Sequence, residues 1–152
     1  MIVYRLAKSK YSRDLSGRGA GKTGSRWNSK GVPMVYTSES RALCTAEIAV
    51  HTQLGILPED FKLVTIDIPG SIKFFEKVPK ELPPDWRSFP HSGKTQELGD
   101  RFVKNQKYAV MKVPSAVVQG DFNYLINPQH ADHSKIRIVK IERFSFDERM
   151  FL

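Results

Sequence analysis

Apolar and polar residues alternate through Ile2-Val-Tyr-Arg-Leu-Ala7, the period of a half-buried strand, and Met34-Val35-Tyr36 after Pro33 predicts a second, shorter one. A glycine-rich loop lies between them. Ser38 is placed to cap a helix from about Glu39 to Leu54, with Gly55 as its stop signal. Phe61 to Pro69 alternates strictly: Leu63, Thr65 and Asp67 share one face, and Val64, Ile66 and Ile68 share the other. That is a strand. Five prolines in residues 69–94 predict an irregular excursion, with one short strand at IKFFE and Trp86 as its anchor. Thr95 is a candidate cap for a second helix running to about Lys107, with Leu98, Phe102 and Val103 facing inward. Short strands are expected at AVMKV (109–113) and AVVQG (116–120). A long last one follows at KIRIVKIERFSF (135–146), with Ile136, Ile138, Ile141 and Phe144 as core candidates. Several strands, two helices and no regular strand-helix-strand repeat predict a single α+β domain over 1–152, with a mixed or antiparallel sheet.

Composition adds few constraints: 152 residues with 40% apolar and 26% charged content suit one domain with its own core. The lone Cys44 has no internal disulfide partner, and its apolar helical setting suits a buried, inert thiol. The N-terminal stretch lacks the apolar core of a signal peptide and no window approaches a membrane span, so a cytoplasmic protein without a membrane partner is expected. Charge changes the picture more. Residues 1–30 carry eight Lys and Arg against Asp14 alone, a net of +7 within a total of +8. Such a segment is either a solvated basic arm or the seat of an anionic partner.

Within that segment, Gly21-Lys22-Thr23 copies the end of a phosphate-binding P-loop. The motif also needs a glycine five residues earlier, where this chain has Ser16, and it needs a preceding buried strand. Both are missing, so no nucleoside triphosphatase is expected. Arg26-Trp27-Asn28 lies between glycines that permit sharp turns. Either the turns aim Arg26 into a cleft, where its guanidinium suits a phosphate or carboxylate, or the loop is superficial and Trp27 plugs the core. On the first helix Glu47 interrupts a stripe of Leu43, Val50 and Leu54. A carboxylate there needs a cation, a hydrogen-bonding partner or a wet cleft, unless it sits at the stripe's edge and reaches solvent. His130-Ala-Asp132-His133 reads as a polar turn rather than a metal site, and no catalytic triad is evident.

Taken in order, Tyr4-Arg5-Leu6, GSRWNSKG, MVYTSES, RALCTAEIAVH, VPSAVV and Asn127-Pro128 resemble the RES-domain family, toxins of bacterial toxin-antitoxin pairs. The arginine, glutamate and serine that name the family correspond to Arg26, Glu47 and Ser115. The resemblance implies a compact fold similar to the ADP-ribosyltransferase toxins. NAD is then a substrate rather than a cofactor, cleaved at the nicotinamide-ribose bond with water or phosphate as acceptor, or else a source of ADP-ribose for a protein. It implies catalytic roles for Arg26, Tyr36 and Glu47, substrate-binding roles for Arg5 and Ser115, and no metal. In this reading the arginines meet the pyrophosphate, Tyr36 stacks on the nicotinamide, Glu47 stabilises an oxocarbenium-like state, and Ser115 positions ribose or phosphate. The expected partner is a helix-turn-helix, Xre-like antitoxin, with a homodimer left open. The rival from the residues alone is a non-enzymatic nucleic-acid surface built on the basic segment with Tyr4, Tyr11 and Trp27.

Overall fold

The structure is a computed structural model that describes residues 1–152. In chain order it contains β1 (Ile2–Lys8), α1 (Arg18–Thr23), β2 (Val35–Ser38), α2 (Arg41–Val50), β3 (Phe61–Asp67), β4 (Phe74–Glu76), α3 (Lys94–Asn105), β5 (Val110–Pro114), β6 (Phe122–Ile126) and β7 (Arg137–Phe144). The strands form one seven-stranded sheet in the order β4-β5-β6-β2-β1-β3-β7. Only the β4–β5 pair is parallel, so the α+β expectation with a mixed sheet holds.

Side-chain alternation gives the sheet a core on each face. Val110, Tyr124 and Ile126 pack with Val3, Val64 and Ile66. The intervening Met111, Val113 and Leu125 pack with Trp27, Met34, Trp86 and Phe102. Trp86 thus anchors the proline-rich excursion as its sequence implied. On β7, Ile138 pairs with Ile66 and Lys140 with Thr65, which leaves Val139 as one extra residue. This bulge explains how Ile138 and Ile141, three residues apart, both pack against the same core.

Four boundaries differ from the sequence reading, three of them because a side chain is engaged elsewhere. Ser38 stays in β2, opposite Tyr4, and Ser40 caps α2 by accepting from the Leu43 amide. That helix ends at His51, well before Gly55; Leu43 is buried but Val50 and Leu54 are exposed, so only the first turn of the expected apolar stripe reaches the core. The AVVQG segment is a turn: the Ser115 hydroxyl accepts from the amides of Val117 and Val118, and the strand begins only at Phe122. Thr95 does not cap α3, which starts after Gly93; its hydroxyl donates instead to the Arg26 carbonyl. The supposed Gly-rich loop also contains the short α1, and Gly21-Lys22-Thr23 forms its last turn.

Candidate active site

The central strands β1 and β2 meet at a single registered pair, Tyr4 and Ser38, whereas β1 pairs with β3 along its whole length. Where β1 and β2 diverge, a cleft of about 1080 Å³ opens. Neighbouring residues of one strand, Tyr4 with Arg5 and Tyr36 with Thr37, both line it. Both strands contribute, so the cleft opens along the line where they part. Arg5, Arg26, Tyr36 and Glu47, which come from β1, the Gly-rich segment, β2 and α2, all border it. Six Lys and Arg side chains line the cleft against two carboxylates, Asp14 and Glu47. An anionic ligand is favoured there.

Arg26 is held at both ends. Its guanidinium Nη1 donates to the carbonyls of Trp86 (2.8 Å) and Ser88 (3.0 Å), and its own carbonyl accepts from Thr95 Oγ1 (2.6 Å). Burial pushes the guanidinium below its ordinary pKa, while the charge of Glu47 pulls it back up. Arg5 Nη1 donates to the Tyr11 carbonyl (3.2 Å); burial lowers its pKa too, with Asp14 opposing. Both arginines keep further N–H groups for a ligand. The next two residues serve the fold. Trp27 is buried and plugs the core even as Arg26 borders the cleft, so the loop does both things the sequence offered as alternatives, and Asn28 is fully enclosed. The Asn28 amide donates to the carbonyls of Ala20 and Val32 (both 2.9 Å), and its Oδ1 accepts from Tyr36 Oη (2.6 Å). Tyr36 Oη in turn accepts from the Trp27 amide (3.1 Å). Burial raises the phenol's pKa well above its usual value, so Tyr36 is a fixed neutral wall rather than a base.

Glu47 does have partners. Ser115 Oγ (2.9 Å) and Asn123 Nδ2 (2.8 Å) both donate to its Oε1, and no protein group occupies Oε2. Ser115 is 1% exposed and does not border the cleft. Its hydroxyl donates once and accepts twice, which exhausts its capacity. The expected contact between Ser115 and ribose or phosphate is therefore absent from this geometry, and Ser115 stands behind Glu47. Cys44 is buried and its thiol donates to the Tyr4 carbonyl (3.2 Å); burial pushes its pKa up to about 11. His130 to His133 forms a polar 3₁₀ turn in which His130 Nδ1 accepts from the Asp132 amide.

Sequence reading missed Asn123 and the side of α3 that faces the Gly-rich segment. There Gln96 Nε2 donates to the carbonyls of Ser25 (2.9 Å) and Asn28 (3.2 Å), and Asp100 accepts from the amide and hydroxyl of Ser29. A polar residue in phase with the buried Leu125 was a legible signal for Asn123. Helix α3 carried no comparable signal, because its partners are mostly main-chain carbonyls and amides of a segment distant in the chain.

Residues 2–147 match the family described as the RES domain. The chain is 38% identical over 146 residues to the Prs ADP-ribosylating toxin of Sphingobium sp. (strain YBL2), spanning 95% of this chain and 91% of that one. It is 37% identical to Toxin Res of Photorhabdus laumondii, over 99% and 97% of the two chains. Among solved structures, the crystal structure of the M. tuberculosis MbcT-MbcA toxin-antitoxin complex contains a similar fold. Its TM-score is 0.75 at 20% identity, covering 99% of this chain and 86% of that one. No helix is long and apolar enough to cross a membrane.

Proposed function

This chain belongs to the RES-domain family, and from that premise we propose that it is the toxin of a toxin-antitoxin pair that consumes NAD by cleaving the nicotinamide-ribose bond. One observation carries the reading: Arg5, Arg26, Tyr36 and Glu47, distant in sequence, converge on a single cationic cleft. The pyrophosphate of NAD is matched by the two arginines, whose remaining donors suit bidentate contact. The ring of Tyr36, fixed by Trp27 and Asn28, offers the nicotinamide a stacking wall. Departure of nicotinamide breaks the C–N bond. The pair of electrons leaves with the ring, which becomes neutral, and positive charge develops on the ribose. The open Oε2 of Glu47 stabilises that charge or holds a ribose hydroxyl. Water then adds at the anomeric carbon and loses a proton, or phosphate adds directly. Because the departing ring is already cationic, no second carboxylate is required as general acid.

The second reading, transfer of ADP-ribose to a protein, is favoured by the similarity to a relative named as an ADP-ribosylating toxin. One assay separates the two. Purified protein is incubated with NAD labelled in the ADP-ribose moiety, with and without a cell extract, and released nicotinamide is measured. Nicotinamide release with the label in small molecules supports hydrolysis or phosphorolysis; label bound to protein supports transfer; no release under either condition overturns both. A cytoplasmic setting and a helix-turn-helix antitoxin complete the proposal, and co-purification with the product of the neighbouring reading frame tests the partner.

A further inference from the structure

Asn123, which no sequence motif singled out, lies beside the carboxylate that the proposed chemistry depends on. Its side chain is fixed from both ends: Nδ2 donates to Glu47 Oε1 (2.8 Å), and Oδ1 accepts from Ser38 Oγ (2.8 Å). The orientation of this amide is not arbitrary. A carboxylate only accepts, so the NH₂ end must face Glu47, and the Ser38 hydroxyl completes the other end as donor. Strand register puts the group in place without any loop. Asn123 pairs with Ser38 across β2–β6 and with Val113 across β5–β6, and Ser115 follows two residues beyond Val113. Ser38, Asn123 and Ser115 are thereby delivered to one face of the sheet, beneath Glu47.

Both donors converge on the same oxygen. Two hydrogen bonds on Oε1 restrain the carboxylate and leave Oε2 as the oxygen without a protein partner, on a residue that borders the cleft. We propose that Asn123, oriented by Ser38, is a positioning residue that holds the Glu47 carboxylate so that Oε2 alone meets the reacting ribose. The inference rests on the NAD-cleaving reading of the same cleft. Geometry is central to that role, because a carboxylate that rotates freely spreads its charge over many positions, and only a fixed one is aimed at the charge of the transition state.

The test is kinetic and spectroscopic, on the full chain. Asn123→Ala removes the donor. Asn123→Asp keeps the shape but presents a second acceptor and a like charge to Glu47. Nicotinamide release should fall in kcat by about tenfold to a hundredfold for Asn123→Ala and further for Asn123→Asp, the scale of losing a hydrogen bond to a charged group. KM should move by less than about threefold, because a charge stabilised only in the transition state is at issue. In a Glu47→Gln background, Asn123→Ala should cost little more. A loss there as large as in the wild-type background, or a change confined to KM, overturns the inference and makes Asn123 a substrate contact. Wild-type kcat in Asn123→Asp overturns it as well. An independent measurement covers the case in which the wild-type protein releases no nicotinamide or the variants fold poorly. The side-chain amide resonance of Asn123 should shift when Glu47 becomes Gln, with no turnover required. An unmoved resonance defeats the inference even if NAD is consumed; a shifted one in a protein that leaves NAD intact sustains the pairing and defeats only the proposed reaction.

Discussion

The cleft has a cationic wall and an anionic wall, and they are held in different ways. Arg26 sits on a segment fixed almost wholly through main chain: Thr95, Gln96 and Asp100 of α3 bind its carbonyls and amides, and Gly99 packs directly on the Trp27 carbonyl. Glu47 sits on α2 and is fixed through its own side chain, by Ser115 and Asn123. The difference teaches where each wall is brittle. Changes in the packing of α3 should disturb the arginine side, whereas changes at single polar atoms should disturb the carboxylate side.

The largest expected effect tests the anionic wall. Glu47→Gln should lower nicotinamide release by about 10²–10³-fold, the scale of removing one preorganised electrostatic group, with the melting temperature nearly unchanged. Activity equal to wild type would break the assigned mechanism. Next comes the cationic wall's packing. A Cβ on Gly99 would stand 1.6 Å from the Trp27 carbonyl oxygen, a main-chain atom with little freedom to yield. Gly99→Ala should therefore destabilise by about 1–3 kcal/mol or more, read by thermal denaturation. Gly19→Ala, on α1 with open space around it, should cost nothing. Equal midpoints for the two variants would erase the contrast between the walls.

A smaller effect separates the arginine from its basic neighbourhood. Arg26→Ala loses the ligand contact and the two bonds to Trp86 and Ser88, so activity should fall about tenfold to a hundredfold. Lys22→Ala should change it by about twofold at most, because Lys22 adds to the field of the cleft without a fixed partner. Equal losses in kcat/KM would return the glycine-lysine-threonine turn to consideration as a phosphate grip. The smallest effect is at Cys44. With its pKa raised by burial to about 11, the thiol is neutral at pH 7.5, and alkylation should be slow and rise as pH approaches 11. The sign for stability follows. The folded state keeps its proton longer than the unfolded one, so this contribution is complete below about pH 8.5 and is lost as pH rises toward 11. Rapid alkylation of the native protein at pH 7.5 would contradict the burial.

Much of this was legible in the sequence, and unevenly so. Strands β1, β3 and β7 were readable because each shows a two-residue period over a long run. The Arg26, Tyr36 and Glu47 set was readable through family resemblance, and Glu47 also through its polarity on an otherwise apolar stretch. The role of Ser115 was not, because its hydroxyl is spent on a turn and on Glu47, and neither bond leaves a periodic trace. Nor did the end of α2 show itself: Val50 and Leu54 carry the right spacing for a buried stripe, yet the chain departs at His51 and leaves both in solvent. Gly99 left no sequence signal at all, because its reason is a backbone on another element, 72 positions away in the chain at Trp27.

The single pairing of Tyr4 with Ser38 leaves a seam down the middle of the sheet. Arg5 belongs to one side of that seam and Tyr36 to the other, so a dinucleotide gripping both would act as a rivet across it. Amide hydrogens of β1 and β2 next to the seam should then exchange with solvent more slowly when the cleft is filled, while those of β3 and β7, already paired along their length, should keep their rates.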